Sequence, residues 1–389
     1  MGKAMRKRAL LAVLCVSLLF LLCGCWNYRG LNQIAIVAGM AVDIDQESGE
    51  LRVVYETVDV SDAKTSGPKP RLIESTGKTI FDAARNAKKR LEKRLFFGNE
   101  QILIISEEIA KTGHLMHLID WFLRDAELRE TVHIIVSQEK TAAELLRVKG
   151  VNNPIIAYEI GQIVMDDQTA TSSTSSIMLY QVYDTLKTEG LALALPAFHK
   201  IVNNGEPSIE ANGIAVFKGE TMLGYLTPEL TKYYLFIVNE VKGGILTLST
   251  KEGKEDNISL EISENSSKTS FSVEDGKLKI EVDTEVRVYL AEIGEEMDAL
   301  DEEAITSLEA AAGAKLKREM ENVINKVQTE YGADIFGFGN DIRKKNNKLW
   351  KSVSSYWDVL FPTLDVTVHA KVNIANSAYT KSTKLEEPK

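Results

Sequence analysis

Apolar and polar positions fall along this chain in short blocks whose period switches repeatedly between two and about three and a half residues. Ile34–Ile44 (IAIVAGMAVDI) and 51–60 (LRVVYETVDV) are β-branched runs, and DQESGE between them supplies turn residues, so a hairpin is expected. After the loop TSGPKP, a stripe of Ile80, Phe81, Ala84, Ala87, Leu91 and Leu95 predicts a helix over 79–95. Its opposite face is basic, carrying Arg85, Lys88, Lys89, Arg90, Lys93 and Arg94. That face reads as solvated, the alternative being contact with an acidic partner or with lipid. QILIISEE is a short strand whose Ser106 caps a helix running through LMHLIDWFLRD. TVHIIVS predicts the next strand, TAAELLRV a helix, and NPIIAYEIGQIV another with Pro154 near its start. The small polar run from Asp166 to Ser176 has nothing to bury, so a mobile loop is expected there.

A helix ending at Gly190 and the strand LALALPAFH lead to a natural boundary around KIVNNGEPS. Beyond it, a hairpin about Gly219 leads to Thr227, which caps the helix ELTKYYLFIVNEV, and GGILTLST is a further strand. From Ile258 to Ile293 three alternating strands, with turns at NSS and EDG, predict an antiparallel meander with one wet face. A long helix over Ala304–Tyr331, a second reaching Leu360 and the closing strand LDVTVHAKVNIAN complete the pattern. The tail is polar. The fold class is α+β, with mixed sheets flanked by helices in more than one domain. The expected divisions are a leader at 1–24, an N-terminal α/β domain at 25–200 and a middle hairpin-plus-helix domain at 201–253. A C-terminal domain at 254–380 and a tail at 381–389 follow.

Ahead of the first strand the pattern changes. Lys3, Arg6, Lys7 and Arg8 precede Ala9–Leu22, an uncharged apolar run of 14 residues, short of the roughly 20 a membrane-spanning helix requires. A basic segment followed by a short apolar one reads as an export signal. Leu22, Cys23, Gly24 and Cys25 then resemble a bacterial lipobox, which predicts cleavage after Gly24 and a diacylglyceryl group on Cys25. The other cysteines, Cys15 and Cys23, leave with the leader, so no thiol remains for a disulfide, a metal or a nucleophile. Without residues 1–24 the chain carries 42 basic against 56 acidic side chains, a balance of −14 rather than −10. That acidity argues against a general nucleic-acid binder and against docking on anionic headgroups, leaving the acyl chains to hold the membrane.

Candidate chemistry is sparse. His114 and His117 have a spacing that suits two metal ligands, but no third ligand is near, so no metal is assigned. Asp43, Asp45 and Glu47 alternate as in a calcium loop, yet lack its glycine and closing acid at the right spacing. Gly337 and Gly339 read as backbone geometry between helices rather than a phosphate cradle, and Glu302, Glu303, Glu319 and Glu321 as a solvated helix face. No nucleophile elbow, phosphate loop or zinc motif is present, so neither an enzyme nor a cofactor is expected.

Three segments carry a resemblance. GCWNYRGLNQIAIVAGMAVD resembles the start of the Ger(x)C lipoproteins, the C subunits of bacterial spore germinant receptors. RLFFGNEQILIISEEIA with WFLRDAELRETVHIIVS is similar to that family's first-domain signature. ADIFGFGNDIRKKNNKLWKSVSSYWDVLFPTLDVTVHAKVNI is similar to its C-terminal one, through Asp334, Phe336, Gly337, Phe338, Gly339, Trp350, Trp357 and Pro362. The resemblance implies a three-domain α+β fold and a non-enzymatic subunit. It would be tethered by Cys25 to the outer face of the inner spore membrane, beside a multi-spanning A subunit and a transporter-like B subunit, and act in receptor assembly and germination signalling. A lipid-anchored solute-binding protein of a transporter is the alternative. As a partner-contact surface the sequence suggests exposed aromatics at Phe96, Phe97, Trp350 and Trp357, the alternative being that these rings, at least half of them, fill the core.

Overall fold

The computed structural model describes residues 33–60, 67–125, 127–249, 258–293 and 302–375, with Gly30 and a few of the first ten residues. The apolar leader, Gly24, Cys25, the KEGKEDN linker and the C-terminal tail lie outside the described residues.

Strands β1 (Ile34–Ile44) and β2 (Leu51–Asp59) form the expected antiparallel hairpin. A third strand, β3 (Lys69–Gly77), pairs with β2 at the sheet edge. Its proline, Pro70, and its charges hide it in the sequence, and such residues belong on an edge. Helix α1 covers only Ile80–Ala87, because Arg94–Phe96 forms β4 in parallel register with Ile34–Ile36. The helical spacing continues past Ala87, but pairing with β1 wins. The parallel strands β5 (Ile102–Ser106) and β6 (His133–Ser137) follow, then β7 (Ala194–Asn203), β8 (Glu206–Lys218) and β9 (Thr221–Leu226), giving the order β3-β2-β1-β5-β6-β7-β8-β9.

Helices cover both faces of this sheet, which is why the apolar runs ILII of β5 and IIV of β6 are uninterrupted. One face packs on α1, the pair α2 (Glu107–Lys111) and α3 (Leu115–Arg124), and α6 (Leu179–Lys187). The other packs on α4 (Ala143–Leu146) and α5 (Ile156–Ala170). Ser106 caps α2 as expected, its hydroxyl accepting from the Ile109 N–H at 3.3 Å. The single helix expected to follow is two, broken where Gly113 adopts φ of 75°.

The expected boundary at 200/201 falls inside the β7–β8 hairpin, so KIVNNGEPS is a turn within one sheet. The segment assigned to a middle domain is shared out. β8 and β9 complete the first sheet, α7 (Pro228–Ile237), capped by Thr227, bridges, and β10 (Ile245–Leu248) edges the second sheet. That sheet runs β10-β11-β12-β13, with β11 (Ile258–Glu274), β12 (Lys277–Glu292) and β13 (Asp365–Ala375). NSS is not a turn but lies within the long β11, whereas EDG is the turn, with Asp275 and Gly276 both at positive φ. β13 joins β12 in parallel, as a strand returning after a long crossover can.

The crossover is helix α8 (Glu302–Lys326), which ends in a π-turn over Val327–Tyr331. The expected last helix is three short ones, α9 (Phe338–Lys345), α10 (Asn347–Val353) and α11 (Trp357–Leu360). One core joins the two sheets, since Ile214, Val216 and Leu226 of the first pack with Leu260, Val282, Leu316 and Phe336 of the second module.

Residues 166–176 are not a mobile loop. α5 runs into them, and Asp167, 7% exposed, accepts from the Ser173 hydroxyl at 2.6 Å, the Thr174 N–H at 2.8 Å and the Thr171 hydroxyl. Ser172 donates to the Gly243 carbonyl at 3.0 Å and Thr174 to that of Gly213 at 2.6 Å, so polar residues are buried with partners. Hydrogen exchange checks this: the Thr174 amide should be strongly protected, and Asp167→Ala should destabilise the protein by about 2 kcal/mol and release that protection.

Candidate functional site

The described residues offer two places where the fold concentrates unusual chemistry: an interior joint between the two modules, and a cleft on the outer face of the first.

The joint is built on Asp334, which the chain places just ahead of α9. Its carboxylate accepts from the N–H groups of Gly337 (2.9 Å), Phe338 (3.2 Å) and Gly339 (2.8 Å), and from the Trp357 indole at 3.2 Å. It thus caps α9 from inside the protein and ties α11 to it. Burial nevertheless outweighs these donors and pushes its carboxyl up to about 7. The strap 189–192 of the first module threads the same knot. The Ala192 N–H donates to the Asp334 carbonyl and the Asn340 N–H to the Gly190 carbonyl, both at 2.8 Å, and the Trp350 indole donates to Glu189 at 2.8 Å. Gly190 and Gly339 meet backbone to backbone: a Cβ on Gly339 would lie 2.8 Å from the Gly190 Cα and 2.9 Å from the Trp350 ring. The FGFGN glycines are therefore backbone geometry, and the contact they permit is between modules.

These facts correct the suggested aromatic surface. Trp350, Trp357 and Phe97 are 3%, 5% and 5% exposed, and Phe96 is half-buried. The two tryptophans pack edge to face at 5.4 Å inside the joint, far along the chain from the phenylalanines in the first module. Rings that fill a core are not available as a contact patch, and aromatic content by itself does not distinguish the two.

The cleft, about 940 Å³, lies between the β1–β2 turn, α1 and α3. Ile44, Leu51, Ile80 and Leu118 line it, Phe81 and Trp121 wall it, and His114, His117 and Arg124 are among its polar residues. Phe81 is 42% exposed, and Trp121 rests on the buried Phe97 at 5.0 Å. The imidazoles of His114 and His117 stand 6.0 Å apart, and no cluster of three or more metal-ligating side chains exists among the described residues. Asp43, Asp45 and Glu47 do not converge either. Asp43 turns inward to accept from Ala142 and Ala143 at the start of α4, while Asp45 closes the hairpin turn onto Ser48.

Sequence reasoning missed two buried acids outside this cleft. Glu56, in the middle of β2, accepts from the Ile156 and Ala157 N–H groups at the start of α5 (3.1 and 2.7 Å), and burial pushes it up to about 7. Glu100 is 2% exposed and has no hydrogen-bond partner on either oxygen, so burial drives it well above the carboxylate range. For Glu56 the available signal was a charge interrupting an apolar strand, in VVYETV; Glu100 sits in the loop between β4 and β5 and gave no such signal. Both acids hold positions in the scaffold rather than facing each other across a cleft.

Fold and site together define a two-sheet α+β protein locked at an internal joint. Comparison with known proteins is specific. The model of the spore germination protein N-terminal domain matches residues 27–200, and that of the spore germination B3/GerAC-like C-terminal domain matches 212–378. Spore germination protein KC of Bacillus subtilis is 22% identical, over 95% of this chain and 96% of that protein. Spore germination protein YndF of the same organism is 24% identical, over 98% and 100%. The crystal structure of the GerBC protein superposes with a TM-score of 0.56 at 18% identity, over 87% of this chain and 97% of that one. The chain belongs to the Ger(x)C family, the C subunits of spore germinant receptors. The solute-binding alternative is not favoured.

Proposed function

We propose that this chain is the lipid-anchored C subunit of a nutrient germinant receptor, held on the outer face of the inner spore membrane through a diacylglyceryl group on Cys25. The observation that carries the reading is the end-to-end match with germination proteins. The leader adds the address: an apolar run of 14 residues ends three positions before Cys25, and the first strand of the folded body opens nine residues after it. Among the described residues no helix is long and apolar enough to cross a membrane. Two or three acyl chains on one cysteine, at about 0.8 kcal/mol per buried methylene, supply a firm hold. The role is assembly and signal coupling beside the A and B subunits, without catalysis. The interior joint suits it, because force on one module reaches the other through packed backbone rather than a flexible linker.

Mass spectrometry of protein from spores should find a mature chain beginning at a lipidated Cys25. Cys25→Ser should shift the protein out of the acyl-anchored membrane fraction and impair nutrient-triggered germination. A mature chain starting elsewhere, or an unmodified Cys25, sinks the anchor.

A further inference from the structure

The net acidity of the chain hides a strong segregation of charge. Residues 78–94 hold seven basic side chains (Lys78, Arg85, Lys88, Lys89, Arg90, Lys93 and Arg94) against two acids, Asp82 and Glu92. With the helix ending at Ala87, the last five of these basics lie in the segment that leads to and opens β4.

Arg85, Lys88, Lys93 and Arg94 line one hollow of about 350 Å³, floored by the apolar Phe81, Ala84, Leu95, Phe97 and Trp121. The acids beside it are already engaged. Glu127 pairs with Arg94 at 2.7 Å, and Asp125 accepts from the Trp121 indole at 3.2 Å and the Glu127 N–H at 2.9 Å. Arg85 lies over the Phe81 ring at 4.8 Å, and among the described residues Arg85, Lys89 and Lys93 have no carboxylate partner. Cations around an aromatic floor, Arg85 and Lys88 exposed and Lys93 and Arg94 half-buried, suit an anionic headgroup with the upper part of its acyl chains.

Position selects the partner. β4 runs parallel to β1 with Arg94 opposite Ile34, so the basic segment ends where the chain enters the folded body from its N-terminal side. Cys25 is nine residues before Ile34, a reach of at most about 30 Å when extended. Thus a strongly basic surface on an acidic protein lies within a short tether of the anchor.

We infer that the hollow and its rim, from Phe81 to Arg94, form a membrane-docking face for anionic phospholipid headgroups, which orients the tethered subunit on the bilayer. Acyl chains through one cysteine fix the position of the protein but leave its rotation free, and a polybasic patch is the second signal that removes that freedom. The inference rests on the Cys25 anchor for its geometry.

Full-length lipidated protein reconstituted in vesicles of phosphatidylcholine alone, or with 30% phosphatidylglycerol, tests both points. Amine acetylation of Lys89 and Lys93 should slow at least about fivefold in the anionic vesicles at 0.1 M salt and recover at 0.5 M, as screening requires. Lys317 on α8 should not respond. In Arg85→Gln/Lys89→Gln, checked for unchanged melting, Lys93 should label alike in both vesicles. Equal labelling of wild-type protein in both vesicles overturns the docking face. Protection that appears only when partner subunits are added, in neutral lipid as in anionic, also overturns it and assigns the face to a protein. Flotation with neutral vesicles at 0.5 M salt reports the acyl anchor separately, so its loss with the charge effect intact removes the tether and leaves the docking face standing.

Discussion

Asp334→Ala should lower the stability of this protein by about 4 kcal/mol, the largest loss expected from any single carboxylate in the chain. The substitution leaves three backbone N–H groups and the Trp357 indole without an acceptor in a site that water does not reach. A buried donor left unpaired costs about 1–3 kcal/mol, partly relieved if the site relaxes. Gly339→Ala attacks the same knot from the other side. Its Cβ would sit 2.8 Å from both the Gly190 Cα and the Trp357 ring, so the strap from the first module has to move, at about 1–3 kcal/mol. Because the two changes break one joint, their effects should not add. Asp341, only seven residues further on, is a surface partner of Lys345 at 3.3 Å, and its loss should be worth well under 1 kcal/mol. Urea unfolding followed by tryptophan fluorescence compares all three. Similar losses for Asp334→Ala and Asp341→Ala would show that the joint is not where stability is held.

Stability should also fall as pH rises from 5 to 8, against the habit of acid-sensitive proteins. Glu56 and Asp334 are pushed up to about 7 by burial, and Glu100 lies well above its ordinary value for the same reason. In the unfolded chain all three release their protons near pH 4. Through the window between, the folded protein keeps protons that the unfolded chain has lost, so each acid favours folding on the acid side. Each then withdraws up to about 1.4 kcal/mol per pH unit as pH climbs toward its folded value. Buried His133, lowered by desolvation, works in the opposite direction, but only below about pH 6.5, where an unfolded histidine takes up a proton. Glu100→Gln removes one of the three acids and should flatten the slope, most clearly between pH 7 and 8, where Glu56 and Asp334 have largely titrated. Thermal or urea unfolding at pH 5, 6.5 and 8 decides the matter; a rise in stability from 6.5 to 8 is incompatible with these buried acids.

Much of the architecture was legible along the chain because its signals are local. The strands at 34–44, 102–106 and 133–137 are dense in β-branched residues, and the caps at Ser106 and Thr227 depend on a side chain three residues from its donor. Of the three segments that carried the resemblance to germination proteins, the last, with FGFGN and its tryptophans, proves to be the joint. Of the two readings the sequence allowed for the tryptophans, exposed patch or core, the structure has core, because a ring in a core and a ring on an interface look alike without their neighbours.

The sequence by itself determined the fold class, the family, the lipobox that predicts the anchor, and the basic run that follows the tether, since each is written in residues adjacent along the chain. Only the tertiary structure decided that 88–94 leaves its helical pattern to meet β1, and that the polar run 166–176 is buried. It also decided that β8 and β9 belong to the first sheet, and that Asp334 binds two modules together. In three of these the deciding partner is remote: Ile34 for Arg94, Gly213 and Gly243 for the serine–threonine run, Gly190 for Gly339. Local propensity sets what a segment can form. Which of its groups lose water, and to whom, is settled when distant segments close over them.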